Sequence, residues 1–174
     1  MNTTKLAFLF LFSSVLAPMS KAQVQRIEMR VEGMTCNYCA FGVKKHLGRQ
    51  SGVQSVEVAL LDGKVDITAK EDGHIAPAQL LKATYDSGVT VAQMDMTARG
   101  RIVKDSAGNF VFQVEPNQSF AIAPNDLLKS MEPLMNSLTT VTIYGELYRK
   151  PAGEEIPNLS APLKLVILNV QKKG

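Results

Sequence analysis

The sequence predicts an α+β chain. A ferredoxin-like βαββαβ unit over residues 23–96 is followed by a mostly-β second domain over 97–174, a small barrel or half-open sheet with one helical segment. Three observations predict this. Short apolar runs of period two and two stretches of helical spacing follow one another in the order β-α-β-β-α-β, the split βαβ arrangement. Beyond residue 97 short alternating runs continue, with a single helical stretch among them. The composition is that of a folded chain, 45% hydrophobic and 20% charged over 174 residues, unlike disordered or collagen-like sequences. A net charge of +3, with no basic stripe interleaved with aromatics, sets nucleic-acid binding aside.

Residues 1–22 read as a secretory signal peptide that is removed. Lys5 supplies the positive start, the apolar stretch from Leu6 to Ala17 spans 12 residues, and Ser20-Lys21-Ala22 places small residues before a cut after Ala22. A bilayer span needs roughly 20 apolar residues, so an anchor is disfavoured. The mature chain, expected in a periplasm-like space with no membrane insertion of its own, carries a charge of +1 once Lys5 and Lys21 are gone.

The elements then follow in order. Ile27, Met29 and Val31 alternate as a strand, and Gly33 to Cys39 forms a loop. Ala40, Val43, Lys44 and Leu47 share a helical face that Ser51-Gly52 ends. Val56, Val58 and Leu60 alternate, Asp62-Gly63 is a hairpin turn, and Val65 and Ile67 continue as the third strand. Pro77 suits a first helical turn, because its missing N–H has no partner there. Leu80, Leu81 and Thr84 form that helix's apolar face up to Ser87-Gly88, and Val89 and Val91 open a fourth strand. In the second half, Ile102-Val103 and Phe110, Phe112 and Val114 flank a polar turn as a hairpin. Phe120 and Ile122 form a short strand, and Asn125 or Asp126 caps a helix through Leu127, Leu128, Met131 and Leu134, with Pro133 interrupting it. Val141 to Leu147 and Leu163 to Leu168 are the last strands. The apolar alternation of Phe110, Phe112, Ile143, Leu165 and Ile167 predicts a core separate from that of the first unit, which is expected to fold and bind its ligand alone.

Chemistry concentrates at one place. The two cysteines of the chain, Cys36 and Cys39, lie between the first strand and the first helix, with Cys39 expected near the helix start and Cys36 on the loop before it. The helix dipole there favours a thiolate. A structural zinc site wants four N or S ligands. His46 follows Cys39 by seven residues, about 10 Å along a helix, and His74 lies in a distant loop. A structural disulfide closing four residues adds only about 2 kcal/mol. A redox dithiol also places its CxxC before a helix, but the strand order differs from that of the thioredoxin type. Two-sulfur binding of a soft metal ion is the favoured alternative.

Gly33-Met34-Thr35-Cys36-Asn37-Tyr38-Cys39 resembles the signature of the heavy-metal-associated domain family, which includes copper chaperones and the periplasmic mercury-binding protein. Val43-Lys44-Lys45, Gly52-Val53 and Lys82-Ala83-Thr84 through Gly88 are also similar to the family. The resemblance covers residues 25–96 and implies one Cu(I) or Hg(II) held by Cys36 and Cys39, with Met34 pointing inward. It implies a metallochaperone or scavenger, not an enzyme, whose partner donates or accepts metal, such as a membrane transporter; the alternative is a thiol–disulfide oxidoreductase. Val89 stands where the family often has Tyr, Phe or Lys, and the second half has no counterpart in the small mercury-binding member. His46 is expected as a surface or packing residue, Met131 and Met135 as core, and Tyr144 and Tyr148 as a sheet face. Lys44 and Lys45, expected near the cysteines, read as solvated surface before any role with thiolates or an acidic partner.

Overall fold

The computed structural model describes residues 23–115, 118–130, 140–153 and 162–172. The expected leader at 1–22 lies outside them, as do Met131, Pro133, Leu134 and Met135. The first unit comprises β1 (Gln23–Glu32), α1 (Asn37–Gly48), β2 (Val53–Ala59), β3 (Lys64–Ala69), α2 (Pro77–Asp86) and the start of β4 (Thr90–Lys104). The remainder comprises β5 (Phe110–Glu115), β6 (Gln118–Ile122), α3 (Asp126–Ser130), β7 (Val141–Arg149) and β8 (Lys164–Lys172).

Local chemistry accounts for these elements. Ile27, Met29 and Val31 bury one face of β1 beneath Val43 and Leu47 of α1 and Leu80 and Thr84 of α2. The Thr84 hydroxyl avoids an unpaired buried donor by bonding back to the Leu80 carbonyl at 2.8 Å. Gly63 takes φ +60° in the β2–β3 turn, where a Cβ would approach the Val31 carbonyl oxygen to 2.8 Å. The same turn receives the Val31 N–H on the Gly63 carbonyl at 2.8 Å, which ties the hairpin tip to the end of β1. Asn125 is the residue that caps α3, its side-chain oxygen accepting the Leu128 N–H at 2.8 Å.

The strand order β2-β3-β1-β4 is the antiparallel ferredoxin-like sheet. It continues through β5, β6, β8 and β7, and β7 pairs back onto β4. Strands β4, β5, β6, β8 and β7 therefore close a five-stranded Greek-key barrel of the OB type, with the β6–β8 pair parallel.

Two sequence-based expectations change here. Val89-Val91 and Ile102-Val103 were expected as separate strands, with a boundary at 96/97. Val91 and Ile102-Val103 belong to a single 15-residue strand, β4, which Val89 immediately precedes, and positions 96 and 97 both lie inside it. Gly100 makes this possible: a Cβ there would collide with the Gln113 carbonyl and lie 2.8 Å from Phe112 Cζ. Its bare backbone lets β5 cross close by as β4 bends from sheet into barrel. The second half also lacks the separate core expected of it. The buried side chains form one cluster, running from Ile27, Leu47 and Leu80 through Met94, Met96 and Ala98 to Phe112, Ile143 and Leu165.

Polar groups mark the seam where β7 joins β4. Asp95 is 9% exposed and accepts hydrogen bonds from Gln93 Nε2 at 2.8 Å and from the Tyr144 hydroxyl at 3.1 Å. Burial, followed by the charge of Asp95 and its hydrogen bond, pushes the Tyr144 phenol from 10.0 up to about 12. Between those values the folded chain keeps a proton that the unfolded chain releases, so stability falls as pH rises through that window. Urea midpoints measured below and across the window are expected to show this decline, and Tyr144→Phe is expected to flatten it.

Candidate metal-binding site

The loop between β1 and α1 is anchored from both sides. Met34 turns inward and is 7% exposed, in agreement with the expectation for it. The Thr35 N–H donates to the Gly33 carbonyl at 3.1 Å, and the chain reaches Cys36 in extended conformation, φ −143° and ψ 157°. Cys36 is the N-cap of α1: its sulfur accepts the Cys39 N–H at 3.2 Å and its carbonyl accepts the Ala40 N–H at 3.1 Å. The expectation placed Cys39 near the helix start and Cys36 on the loop before it, and the structure agrees: Cys36 is the cap that precedes α1 and Cys39 lies within its first turn.

The two Cα atoms are 5.2 Å apart and the sulfurs are joined as a disulfide. Cys39 is half-buried against the core and Cys36 is half-exposed. The first turn of α1 contains no acidic residue, so its positive end faces the sulfurs without competition from a carboxylate.

The structure separates the other sequence candidates from the cysteines. Lys45 and His46 fall in the last turn of α1, the end opposite Cys36, and Lys44 is one residue earlier and exposed. Lys44 Cα is thus about 12 Å from Cys36 and about 7.5 Å from Cys39 along the helix axis, with its side chain exposed. His74 precedes α2, at the end of the sheet where β3 finishes and opposite the loop. Among the described residues no group of three or more His, Cys, Asp or Glu side chains could hold a metal ion. Val89 is 4% exposed and belongs to the core, not to the rim of the loop.

Two features escaped the sequence reading. Tyr38, Phe41 and Leu61 are exposed by 89%, 64% and 100%, and all three lie at the cysteine end: two on the start of α1, one in the β2–β3 turn. The second is Lys150, whose ammonium donates to Glu32 Oε2 at 3.0 Å across 118 residues of sequence. The exposed apolar residues had a legible signal, since Tyr38 lies between the cysteines, Phe41 follows them and Leu61 precedes Asp62-Gly63. The Lys150 contact had none.

A ferredoxin-like unit with a CxxC capping its first helix defines the class, and comparison with known proteins specifies it. Residues 28–88 match the heavy-metal-associated domain. Copper chaperone CopZ of Bacillus subtilis is 35% identical over 65 residues, 37% of this chain and 93% of that protein. The mercuric transport protein periplasmic component of Pseudomonas fluorescens is 33% identical over 84 residues, 48% of this chain and 90% of that protein. Copper-transporting ATPase 2 of Homo sapiens is 32% identical over 71 residues, 41% of this chain, and the chain spans only 5% of its length. The chain belongs to the heavy-metal-associated domain family. The family match ends at residue 88, so the barrel strands lie outside it.

Proposed function

We propose that this protein is an exported carrier or scavenger of one Cu(I) or Hg(II), which it holds on the reduced thiolates of Cys36 and Cys39 and passes to a partner. The observation that carries the reading is the convergence of both cysteines of the chain on the half-exposed cap of α1. Thiolates are soft ligands that select soft ions, and the helix dipole favours their charged form. An accessible two-sulfur site suits handover, because a partner's thiolates can replace Cys36 and Cys39 one at a time. The names of two relatives, a copper chaperone and a mercuric transport protein, support the same class of cargo.

The partner is a metal-donating or metal-accepting protein, of which a membrane transporter is one kind. Tyr38, Phe41 and Leu61 support direct docking, since apolar side chains grouped around a site mark an interaction surface. Export rests on the leader read in residues 1–22. No helix among the described residues is long and apolar enough to cross a membrane.

The second reading is a thiol–disulfide oxidoreductase, and the disulfide itself favours it. Closing that bond removes both ligands, so metal uptake requires two electrons from a thiol donor, which leaves as its own disulfide. Titration of the reduced and oxidised protein, with competition among Cu(I), Hg(II), Zn(II) and a thiol chelator, tests both. We expect one equivalent of Cu(I) or Hg(II) on the reduced form and none on the oxidised form. Multiple-turnover reduction of a protein disulfide, lost in Cys36→Ser, would favour the enzyme.

A further inference from the structure

The barrel reaches the cysteine end of the molecule through the end of β7. Strands β4 and β7 are antiparallel with Gln93 opposite Arg149, so β7 finishes beside the start of β4. The Lys150 N–H donates to the Ala92 carbonyl at 2.9 Å, and its ammonium, on a side chain 27% exposed, meets Glu32 at 3.0 Å. Glu32 is the last residue of β1, and the loop to Cys36 follows it directly. One strand further, the Tyr85 hydroxyl of α2 donates to the Val91 carbonyl at 3.2 Å. Its oxygen lies 3.3 Å from the Tyr148 hydroxyl. Since the single Tyr85 hydrogen is committed to Val91, Tyr148 is the donor in that pair.

We propose that Lys150 and Tyr148 are positioning residues for the Cys36–Cys39 loop, and that the barrel serves as a built-in brace of the metal site. A loop that must be ordered to hold an ion loses conformational entropy on binding, and fixing its flanks beforehand reduces that loss. The brace acts on the exit of β1 in two ways: directly through Glu32, and through the start of β4, which pairs with it at Val31–Val91 and Glu32–Thr90 and is held by Lys150 at Ala92 and by the Tyr85–Val91 bond. A lone exposed ion pair contributes little, but here it works beside a backbone hydrogen bond and a half-buried tyrosine pair. The functional half of this inference rests on the soft-metal reading; the structural half does not.

The test uses the full chain carrying Lys150→Ala together with Tyr148→Phe, and Lys150→Arg as the conservative variant. Hydrogen exchange of the Gly33–Cys36 amides is followed in the reduced, metal-free protein, and loss of Cu(I) to bicinchoninate in the loaded one. In the double variant both are expected to accelerate about three- to tenfold, while the Phe112 and Ile143 amides keep their protection. Lys150→Arg, which keeps the charge opposite Glu32, is expected to stay within about twofold of the parent. Unchanged loop exchange, acceleration spread over the whole chain, or unchanged Cu(I) loss would each overturn the brace. Should the parent protein take up no Cu(I), the soft-metal reading fails, and the exchange measurement still decides whether the barrel holds the loop.

Discussion

Cys36→Ser combined with Cys39→Ser is expected to abolish stoichiometric binding of Cu(I) or Hg(II) and leave the fold in place. Affinity should fall by at least about a hundredfold, ~2.8 kcal/mol, because a hydroxyl is a poor ligand for a soft ion. The fold survives for a local reason. Position 36 is an N-cap, and serine is a strong N-cap whose oxygen can take the Cys39 N–H now received by sulfur. Both chains should be compared reduced, since the oxidised parent also carries a disulfide worth about 2 kcal/mol for so short a loop. Competition titration gives the affinities and far-ultraviolet circular dichroism reports the fold. One-to-one binding retained by the double variant would assign the ion to other residues.

Phe112→Ala is expected to produce the largest loss of stability. The ring is fully buried, inside the barrel and under the bare backbone of Gly100. Its removal should cost about 3–5 kcal/mol in lost transfer free energy and cavity, a large part of the roughly 5–15 kcal/mol that holds a domain folded. The unbroken core makes a sharper statement possible. Met94, Met96 and Ala98 of β4 face one cluster that extends into both halves, so the metal-binding half should unfold with the barrel in a single urea transition. The backbone amide resonances of Leu47 and Ile143, one in each half, should report the same midpoint, lowered equally in the variant. A barrel that melts first beneath an intact metal-binding unit would show that the halves are energetically separate.

The ferredoxin-like unit was legible because its signals are local. Period-two runs at Ile27–Val31 and Val65–Ile67, Asp62-Gly63 between strands, and Pro77 at a helix start each depend on neighbours a few residues away. The cysteine pair was legible for the same reason, since a three-residue spacing before a helix brings two sulfurs to one cap whatever surrounds it. The order along the chain was legible too, with Cys36 before the helix and Cys39 near its start; the backbone geometry adds that Cys36 is itself the N-cap.

The continuity of β4 was hidden by its own sequence. Thr97 to Gly100 interrupts the apolar alternation, and Gly100 reads as a breaker until β5 is seen to cross over it. The sequence by itself determined the local elements, the order of the first six and the placing of Cys36 and Cys39 together at a helix start, because short-range periodicity and capping need no distant partner. Only the tertiary structure decided that β7 closes onto β4, that β6 and β8 run parallel, that the two halves share one core, and that Lys150 meets Glu32. Those contacts join residues tens to more than a hundred positions apart. Their energy depends on the shape that the whole chain presents at closure, and no local pattern encodes that shape.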